Sequence, residues 1–122
     1  LSGVSSDFRD LTAAASGGNH RAALALEVFE YSCKKYLGAY AAALGGVDCV
    51  VFTAGIGEHD HLIREHICKD MEYMGLKLDE RKNENIGDGI SDVTAEGSKV
   101  KILVIPTNEE LVIARDTERL AK

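Results

Sequence analysis

The sequence lacks the long apolar run that a membrane-spanning helix requires and the basic-then-apolar leader that export requires. Basic residues are also in the minority: 14 Lys and Arg stand against 20 Asp and Glu, which leaves a formal net charge of -6. Because these charges are scattered and mostly acidic, a broad contact with the phosphate backbone of nucleic acid is disfavoured. We therefore expect a soluble protein that binds neither membranes nor nucleic acid.

Cysteine is scarce as well, with residues only at Cys33, Cys49 and Cys68. An odd number of widely spaced cysteines is not the framework of a disulfide-rich secreted domain. Their apolar surroundings predict reduced thiols packed in a core. This pattern is typical of a cytoplasmic protein.

The size of the chain allows one ordinary core. It has 122 residues, 45% of them hydrophobic, and it contains no internal repeat and no low-complexity tract. These values predict a single globular domain or part of one. The chain opens on Leu1 rather than on Met, in a loop-like stretch, which suggests that it was cut from a longer protein.

The first half of the sequence predicts two helices. Ser6 is a candidate cap for a short helix over 7–11 that the glycines at 17–18 end, and a long helix starts near Asn19 and ends before Gly45. Apolar residues recur along the long helix at steps of three and four, which predicts a core-facing stripe: Ala22, Leu26, Phe29, Cys33, Tyr36, Leu37, Tyr40 and Leu44. Gly38 among small residues predicts that another backbone approaches there.

The second half alternates strands and helices. An apolar, β-branched run at 47–53 predicts a strand covered on both faces, and a glycine-bearing turn and a helix over 60–74 follow it. The helix has its predicted core stripe at Ile63, Ile67, Met71 and Met74, and Gly75 ends it. The segment 76–98 is polar and broken, so we expect loops there with at most a short strand or two.

The end of the chain predicts a further strand and helix. A second strand over 99–105 is closed by the only proline, Pro106. Thr107 and Glu110 form a capping-box pattern for a final helix that ends near Leu120. The whole order predicts an α/β fold with parallel strands flanked by helices. Since a buried parallel sheet normally has more than two strands, the rest of the sheet is expected to be missing from this chain.

Polar residues follow both predicted strands, where open α/β sheets bind their ligands. Gly55 and Gly57 come after the first strand and would let a ligand approach the main chain, while Glu109 comes after the second and could hold Mg²⁺ directly or through water. The residues alone leave plain alternatives open. A tight turn explains the glycines, and the helix dipole explains the glutamate.

Two further groups have a functional and a structural interpretation. Asp7 could accept hydrogen bonds from sugar hydroxyls and Arg9 could lie against a base or phosphate, although a helix start also favours the aspartate and an arginine is usually solvated. His61 and His66 do not indicate a metal site, because five residues of separation make side chains diverge on a helix. We expect these histidines to be solvated.

Four segments resemble one known family. They are SGVSSDFRD at 2–10, VFTAGIGE at 51–58, MEYMGLKLD at 71–79 and IPTNEE at 105–110, and in this order they closely resemble the acetate kinase family. The resemblance implies a ribonuclease H-like fold of the superfamily that contains acetate and sugar kinases, Hsp70 and actin. It also implies that residues 1–122 are the carboxy-terminal part of the second domain of such an enzyme, without the amino-terminal domain.

The family resemblance implies reversible transfer of the ATP γ-phosphoryl group to acetate, giving acetyl phosphate and ADP, with Mg²⁺ and in a homodimer. The residues implied to contact the nucleotide are Asp7 and Arg9 at the adenosine, Gly55, Ile56 and Gly57 around the adenine pocket, and Arg64 near it, with Glu109 placing Mg²⁺. The family's catalytic groups precede this chain, so no catalytic residue is assigned here and the chain alone is expected to be inactive. Alternatives are a propionate or butyrate kinase of the same fold, or a non-catalytic piece limited to nucleotide contact and dimerisation.

One position departs from the family pattern. The family usually has Asn after the Gly-Ile-Gly-Glu run, whereas this chain has His59. A neutral imidazole still donates one hydrogen bond, so nucleotide binding is expected to persist with an altered contact to the base.

Overall fold

The computed structural model of the protein describes residues 1–121. Over these residues the chain forms six α-helices, a 3-10 turn and three strands. Their bounds are α1 Phe8–Ser16, α2 His20–Leu44, β1 Cys49–Phe52, α3 Ala54–His59, α4 His61–Cys68, the 3-10 turn Glu72–Met74, α5 Glu80–Glu84, β2 Ser91–Asp92, β3 Lys101–Val104 and α6 Glu109–Ala121. The predicted α/β class is confirmed.

The sheet has the order β1-β3-β2 within residues 1–121. β1 runs parallel to β3, with Val50 opposite Ile102 and Phe52 opposite Val104. β2 is antiparallel to β3, so the sheet is mixed rather than purely parallel. The two parallel strands therefore end side by side at one edge of the sheet, which is the edge that matters for the site.

The core lies where the sheet meets α4 and the segment after it. Its members are buried apolar side chains from β1, β3 and the 68–100 region: Val50, Cys68, Met71, Leu76, Val93, Val100, Ile102 and Val104. Leu76, Val93 and Ile102 are fully buried, so the free energy of hydrophobic burial is concentrated around β3. Of the helix stripe predicted at Ile63, Ile67, Met71 and Met74, the first three are buried and Met74 is half-buried.

α2 begins and ends at the predicted residues. The Asn19 side chain accepts hydrogen bonds from the amides of Arg21 (3.1 Å) and Ala22 (3.0 Å), and Gly45 ends the helix in the left-handed conformation at φ 76°. Asn is a favoured cap and Gly a favoured stop for these reasons. The local chemistry of the termini was therefore sufficient to place this helix.

The predicted core stripe of α2 and the predicted cover of β1 are only partly correct for residues 1–121. Ala22 is buried and Leu26, Phe29, Cys33 and Leu37 are half-buried, and Val50 on β1 is buried. Tyr36, Tyr40 and Leu44 are 62%, 64% and 76% exposed, and Val51 on β1 is 46% exposed. The Cβ of an alanine at Gly38 would meet no atom within 4 Å, so the expected close backbone approach is absent from the described part. Periodicity shows which face is apolar but not what covers it.

Several predicted caps and bounds also need correction. Asp7, not Ser6, caps α1, and Asn108, not Thr107, caps α6 by accepting from the Leu111 amide at 3.0 Å. Asp7 and Asn108 serve as the caps, rather than Ser6 and Thr107, because their side chains reach the free amides two or three residues further along the chain.

The predicted helix over 60–74 is split in two. α4 ends at Cys68, Asp70 adopts φ 59°, and a 3-10 turn then leads to Gly75 at φ 81°. The stop at Gly75 was predicted correctly, whereas the break at Asp70 was not. α5 lies in the segment predicted to be loops, and Asp79 caps it by accepting from the Lys82 amide at 2.9 Å.

The cysteines do not share one environment. All three are free thiols within residues 1–121, but only Cys68 is buried, while Cys33 is half-buried and Cys49 is exposed. Burial raises the pKa of Cys68 to about 12, so this thiol is protonated and serves packing. The prediction that all three pack in a core holds for Cys68 alone.

A search of the helices in residues 1–121 for one with the length and apolar character to cross a bilayer finds none.

Candidate functional site

The two predicted ligand-binding junctions lie next to each other. Beyond the ends of β1 and β3, the Ile105 amide donates to the Phe52 carbonyl (2.9 Å) and the Thr53 hydroxyl donates to the Ile105 carbonyl (2.8 Å). The first bond continues the parallel main-chain pairing past the strands and the second adds a side-chain contact, so the segments that follow both strands lie next to each other. The edge has the position at which α/β sheets collect ligands.

A cleft of about 650 Å³ opens between α1 and α3 at this edge. It is lined by Asp7, Phe8, Arg9, Thr12, Ala13, Gly55, Ile56, His59 and Asp60. The volume falls within the range of small-molecule sites, and apolar side chains mixed with a few polar ones suit a ligand that is flat and apolar on one part and hydroxylated on another. Four of the residues implied by the family resemblance, Asp7, Arg9, Gly55 and Ile56, line this cleft together.

α3 takes the place of the glycine turn predicted after β1. Its first residue, Ala54, has φ 62°, and the next residue is Gly55, where an added Cβ would meet no atom within 4 Å. The space beside Gly55 is therefore open, and a ligand can approach the main chain of α3 without displacing a side chain.

Asp7 and Arg9 form a bidentate ion pair at the rim of the cleft. The Asp7 Oδ1 accepts from the Arg9 amide (2.8 Å) and Nε (3.2 Å), and the Arg9 Nη2 donates to Oδ2 (2.8 Å). The side-chain bond from Arg9, followed by its backbone bond, lowers the pKa of Asp7 to about 2. Asp7 is consequently an ionised acceptor at any physiological pH, and the exposed Arg9 guanidinium orients it.

Replacing Arg9 by alanine should raise the pKa of Asp7 toward its ordinary value of 3.8. Since the native pKa is lowered, the ion pair contributes fully above pH 3.8 and is lost as the pH falls through about 2. Carboxyl-carbon NMR from about pH 3 to 6 should show a nearly constant Asp7 shift in the native protein and the onset of titration in Arg9→Ala. Identical titration of Asp7 in both proteins would contradict the assignment of Arg9 as the cause.

Arg64 and Gly57 lie behind the cleft rather than in it. The Arg64 side chain is 1% exposed, and its Nη1 donates to the carbonyls of Gly57 (2.9 Å) and Glu58 (3.0 Å) at the end of α3. Its Nε and Nη2 donate to the Asn83 side chain (2.6 Å) and carbonyl (2.9 Å) on α5. Burial lowers the pKa of Arg64, but these acceptors offset the desolvation of the guanidinium. Arg64 thus supports α3 from below.

Gly57 packs against the end of β1. A Cβ added there would lie at van der Waals distance from Phe52, 3.4 Å from its carbonyl carbon and 3.6 Å from its Cβ. Gly57 therefore acts on the cleft through the position of α3.

The sequence prediction missed Asn83 and did not foresee the contact that Glu58 makes. Asn83 is fully buried, and its Nδ2 also donates to the His61 carbonyl at 2.8 Å, which joins α5 to α4 beneath the site. The Glu58 Oε1 accepts from the amide (2.7 Å) and the hydroxyl (3.0 Å) of Thr107. Nothing in the polar segment around Asn83 signalled its burial, whereas Glu58 belongs to a recognised motif and only its contact was unforeseen.

Glu109 is the first residue of α6 and is exposed. It follows the Asn108 cap and does not belong to the lining of the cleft between α1 and α3. Mg²⁺ is commonly bound by one or two carboxylates together with substrate phosphates and waters, and a free carboxylate at the edge of the sheet fits that mode. No three His, Cys, Asp or Glu side chains cluster as a metal cage in the described chain, and His66 contacts Glu30 at 2.8 Å instead.

Comparison with known proteins gives consistent matches over the chain. The sequence model of the acetokinase family matches residues 1–115. The chain is 57% identical over 122 residues to the acetate kinase of Moorella thermoacetica, and 56% identical over 121 residues to that of Caldicellulosiruptor saccharolyticus. These matches cover 100% and 98% of this chain but 30% of each relative, so the chain spans about 30% of their length.

Solved structures agree with the sequence matches. The crystal structure of Porphyromonas gingivalis acetate kinase superposes with a TM-score of 0.88 at 48% identity, covering 100% of this chain and 31% of that one. Acetate kinase from Entamoeba histolytica gives 0.85 at 33% identity, covering 98% and 32%, and a propionate kinase from Francisella tularensis gives 0.76 at 35% identity, covering 88% and 27%. With its sequence matched from residue 1 to residue 115 and its fold found in these kinases, the chain belongs to the acetokinase family.

Proposed function

We propose that this chain is the carboxy-terminal part of the second domain of an acetate kinase and that it forms the adenosine-binding side of the active site. The observation that carries the proposal is the cleft in which Asp7 and Arg9 face Gly55 and Ile56, in a chain of the acetokinase family. Acetate is favoured over propionate as the acceptor because the acetate kinases of Moorella thermoacetica and Caldicellulosiruptor saccharolyticus are 57% and 56% identical to this chain, whereas the propionate kinase is 35% identical.

The proposed reaction joins acetate and ATP. A carboxylate oxygen of acetate attacks the γ-phosphorus, the bond from that phosphorus to the bridging oxygen breaks, and acetyl phosphate and ADP result. In this scheme Asp7 accepts from ribose hydroxyls, the Arg9 guanidinium lies against the nucleoside, and Gly55 and Ile56 hold the adenine. None of these residues touches the transferred group, so the chain binds and orients the nucleotide but does not catalyse transfer alone.

We also propose that the enzyme uses Mg²⁺ and that Glu109 holds it directly or through water. When bound, the ion would neutralise charge on the phosphates of the nucleotide. The proposal is supported by the position of Glu109 after β3, since the bonds between Phe52, Thr53 and Ile105 bring that junction beside α3.

The proposed assembly is a cytoplasmic homodimer. Exposed apolar side chains on α2 support self-association, among them Tyr36 and Tyr40, whose stacked rings lie 6.2 Å apart. Sedimentation velocity of the full-length protein should give the mass of a dimer. A monomer at micromolar concentration would contradict this part of the proposal.

The function is tested by assaying the full-length protein for hydroxamate formation from MgATP with acetate, propionate and butyrate. Acetate should give the highest kcat/KM, and a strong preference for a longer acid would replace acetate as the acceptor. The isolated 122-residue chain should form no hydroxamate, and calorimetry with MgADP should detect weak binding or none. Micromolar affinity would show that this chain forms a more complete site than we propose.

Replacing Gly55 by alanine should weaken nucleotide binding without unfolding the protein. The added methyl meets no protein atom within 4 Å, and the exchange favours a helix by about 0.5–1 kcal/mol, so stability should not fall. The same methyl would occupy space proposed for adenine, so we expect the KM for ATP to rise about 10- to 100-fold. Steady-state kinetics with ATP and with acetate varied separately measures the effect.

The matched control for Gly55→Ala is Gly87→Ala. Gly87 lies outside the cleft, and its added Cβ likewise meets no atom within 4 Å. The KM for ATP should stay unchanged in this variant, and the KM for acetate should stay unchanged in both. An unaltered KM for ATP in Gly55→Ala would show that the adenine does not lie against α3.

A further inference from the structure

The Glu58 carboxylate joins the two halves of the proposed site. Glu58 lies near the end of α3, whose other residues Gly55 and Ile56 line the cleft. Its Oε1 accepts two bonds from one residue across the edge of the sheet, the amide (2.7 Å) and the hydroxyl (3.0 Å) of Thr107. The contact therefore connects the helix that lines the cleft with the segment that enters α6.

Through Thr107, this contact affects the start of α6. The next residue, Asn108, caps α6, and the residue after it is Glu109. The Thr107 amide follows the last β3-type bond, which the Ile105 amide makes to the Phe52 carbonyl, and precedes the first turn of α6. Without Glu58, the Thr107 amide would have no hydrogen-bond partner in a strand or helix. The segment that carries Glu109 would also lose its contact with α3.

The environment of Glu58 strengthens its hydrogen bonds to Thr107. Its side chain is only 12% exposed, and hydrogen bonds to an ionised acceptor are roughly twice as strong as neutral ones. The Thr107 amide is the main reason that the pKa of Glu58 is lowered, so the carboxylate remains charged at neutral pH. The exposed His59 lies beside Glu58, with its Nε2 3.9 Å from the other carboxylate oxygen, too far for a hydrogen bond.

We propose that Glu58 is a positioning residue that sets the distance between the nucleoside cleft and the metal-binding carboxylate of Glu109. The inference rests on the proposed function, since it assigns Glu58 to the same nucleotide site. Glu58 itself contacts neither nucleotide nor metal. It binds Thr107 and thereby fixes the start of α6 relative to Gly55 and Ile56. One MgATP molecule can then contact both the cleft and Glu109.

The test uses the full-length protein and three variants with different effects on the contact. Glu58→Ala removes the acceptor, Glu58→Gln keeps an acceptor oxygen without the charge, and Thr107→Ser keeps both donors. For each, the Mg²⁺ concentration that gives half-maximal rate, the KM for ATP, the KM for acetate and the melting temperature are measured. Glu58→Ala should raise the Mg²⁺ requirement about 10- to 100-fold while the KM for acetate stays nearly unchanged.

The other variants distinguish the bond from the charge. Thr107→Ser should behave as the native protein, and Glu58→Gln should fall between the native protein and Glu58→Ala. A Glu58→Gln protein as impaired as Glu58→Ala would overturn the inference, because the amide oxygen still accepts from Thr107 and the Mg²⁺ requirement would then not depend on that bond. Should Glu58→Ala not fold, Thr107→Ala removes the hydroxyl donor alone and should raise the Mg²⁺ requirement about 2- to 10-fold.

Asp92→Ala is the matched control for stability. Asp92 is also a carboxylate that accepts from a threonine amide, that of Thr94 at 2.9 Å, but it lies on β2 away from the cleft. This variant should lower the melting temperature without changing the Mg²⁺ requirement. If the native protein is active and Glu58→Ala leaves the Mg²⁺ requirement unchanged, the inference about Glu58 is overturned but the proposed function is not. A native protein that does not phosphorylate acetate overturns the proposed function.

Discussion

Replacing Glu109 by alanine should lower the kcat of the proposed phosphoryl transfer by the full-length protein about 10²- to 10³-fold, the size of effect seen when one preorganised group is removed from a charged transition state. Glu109 is the exposed first residue of α6, at the edge where β1 and β3 end together. If Glu109 holds Mg²⁺ against the phosphates, its loss weakens the binding of the ion. The charge of the transferring phosphoryl group is then less well neutralised. Rates measured over a series of Mg²⁺ concentrations should show partial rescue by excess metal.

Glu110 provides the control for Glu109. Both glutamates lie in the first turn of α6, both are exposed, and both are favoured there by the helix dipole. Glu110→Ala therefore removes the same electrostatic support of the helix, worth about 0.3–1 kcal/mol, without removing the proposed ligand. Its kcat and Mg²⁺ requirement should remain close to those of the native enzyme. Equal losses in the two variants would show that the helix, not a metal, accounts for the effect.

Replacing Arg64 by alanine should destabilise the protein by about 2–5 kcal/mol, a large part of a typical free energy of unfolding. The guanidinium is 1% exposed and makes four hydrogen bonds, two to the end of α3 and two to Asn83. Truncation leaves a cavity and removes the Arg64 donors from the side-chain oxygen and the carbonyl of the fully buried Asn83 and from the Gly57 carbonyl. Urea unfolding followed by circular dichroism measures the loss.

Two controls separate support from nucleotide contact at Arg64. Arg64→Lys keeps the charge but not the planar fork that reaches both helices, so it should remain clearly destabilised. Arg81→Ala removes an exposed arginine from α5 and should change the free energy of unfolding by about 0.5 kcal/mol or less. A rise in the KM for ATP in Arg64→Ala at unchanged stability would contradict a supporting role and favour direct contact with the nucleotide.

The candidate site was predictable to the extent that it depends on motifs. The motifs indicate Asp7, Arg9, Gly55 and Ile56, and these four residues share one cleft. Arg64 was also singled out, but its motif position gave no sign of whether the guanidinium faces the cleft or the core. That difference depends on α5, a helix that the polar 76–98 segment did not signal.

The contacts that organise the site could not be predicted from sequence spacing. Glu58 and Thr107 are 49 residues apart, and Arg64 and Asn83 are 19 apart. Such pairs meet only because β1 and β3 run parallel and bring their ends together, and because α5 folds back under α4. A single sequence carries no record of which distant side chains become neighbours.

The sequence by itself determined the local structure: where α2 starts and stops, which segments become the parallel strands, and which short motifs flank them. These features follow from interactions within a few residues, such as the Asn19 cap, the left-handed glycine at Gly45 and the β-branched run before Phe52. Only the tertiary structure decided which apolar faces are covered, that Arg64 is buried and that Glu58 holds Thr107. The physical reason is that burial and long-range hydrogen bonds depend on surfaces brought together by the whole chain, whereas caps and propensities act along the backbone.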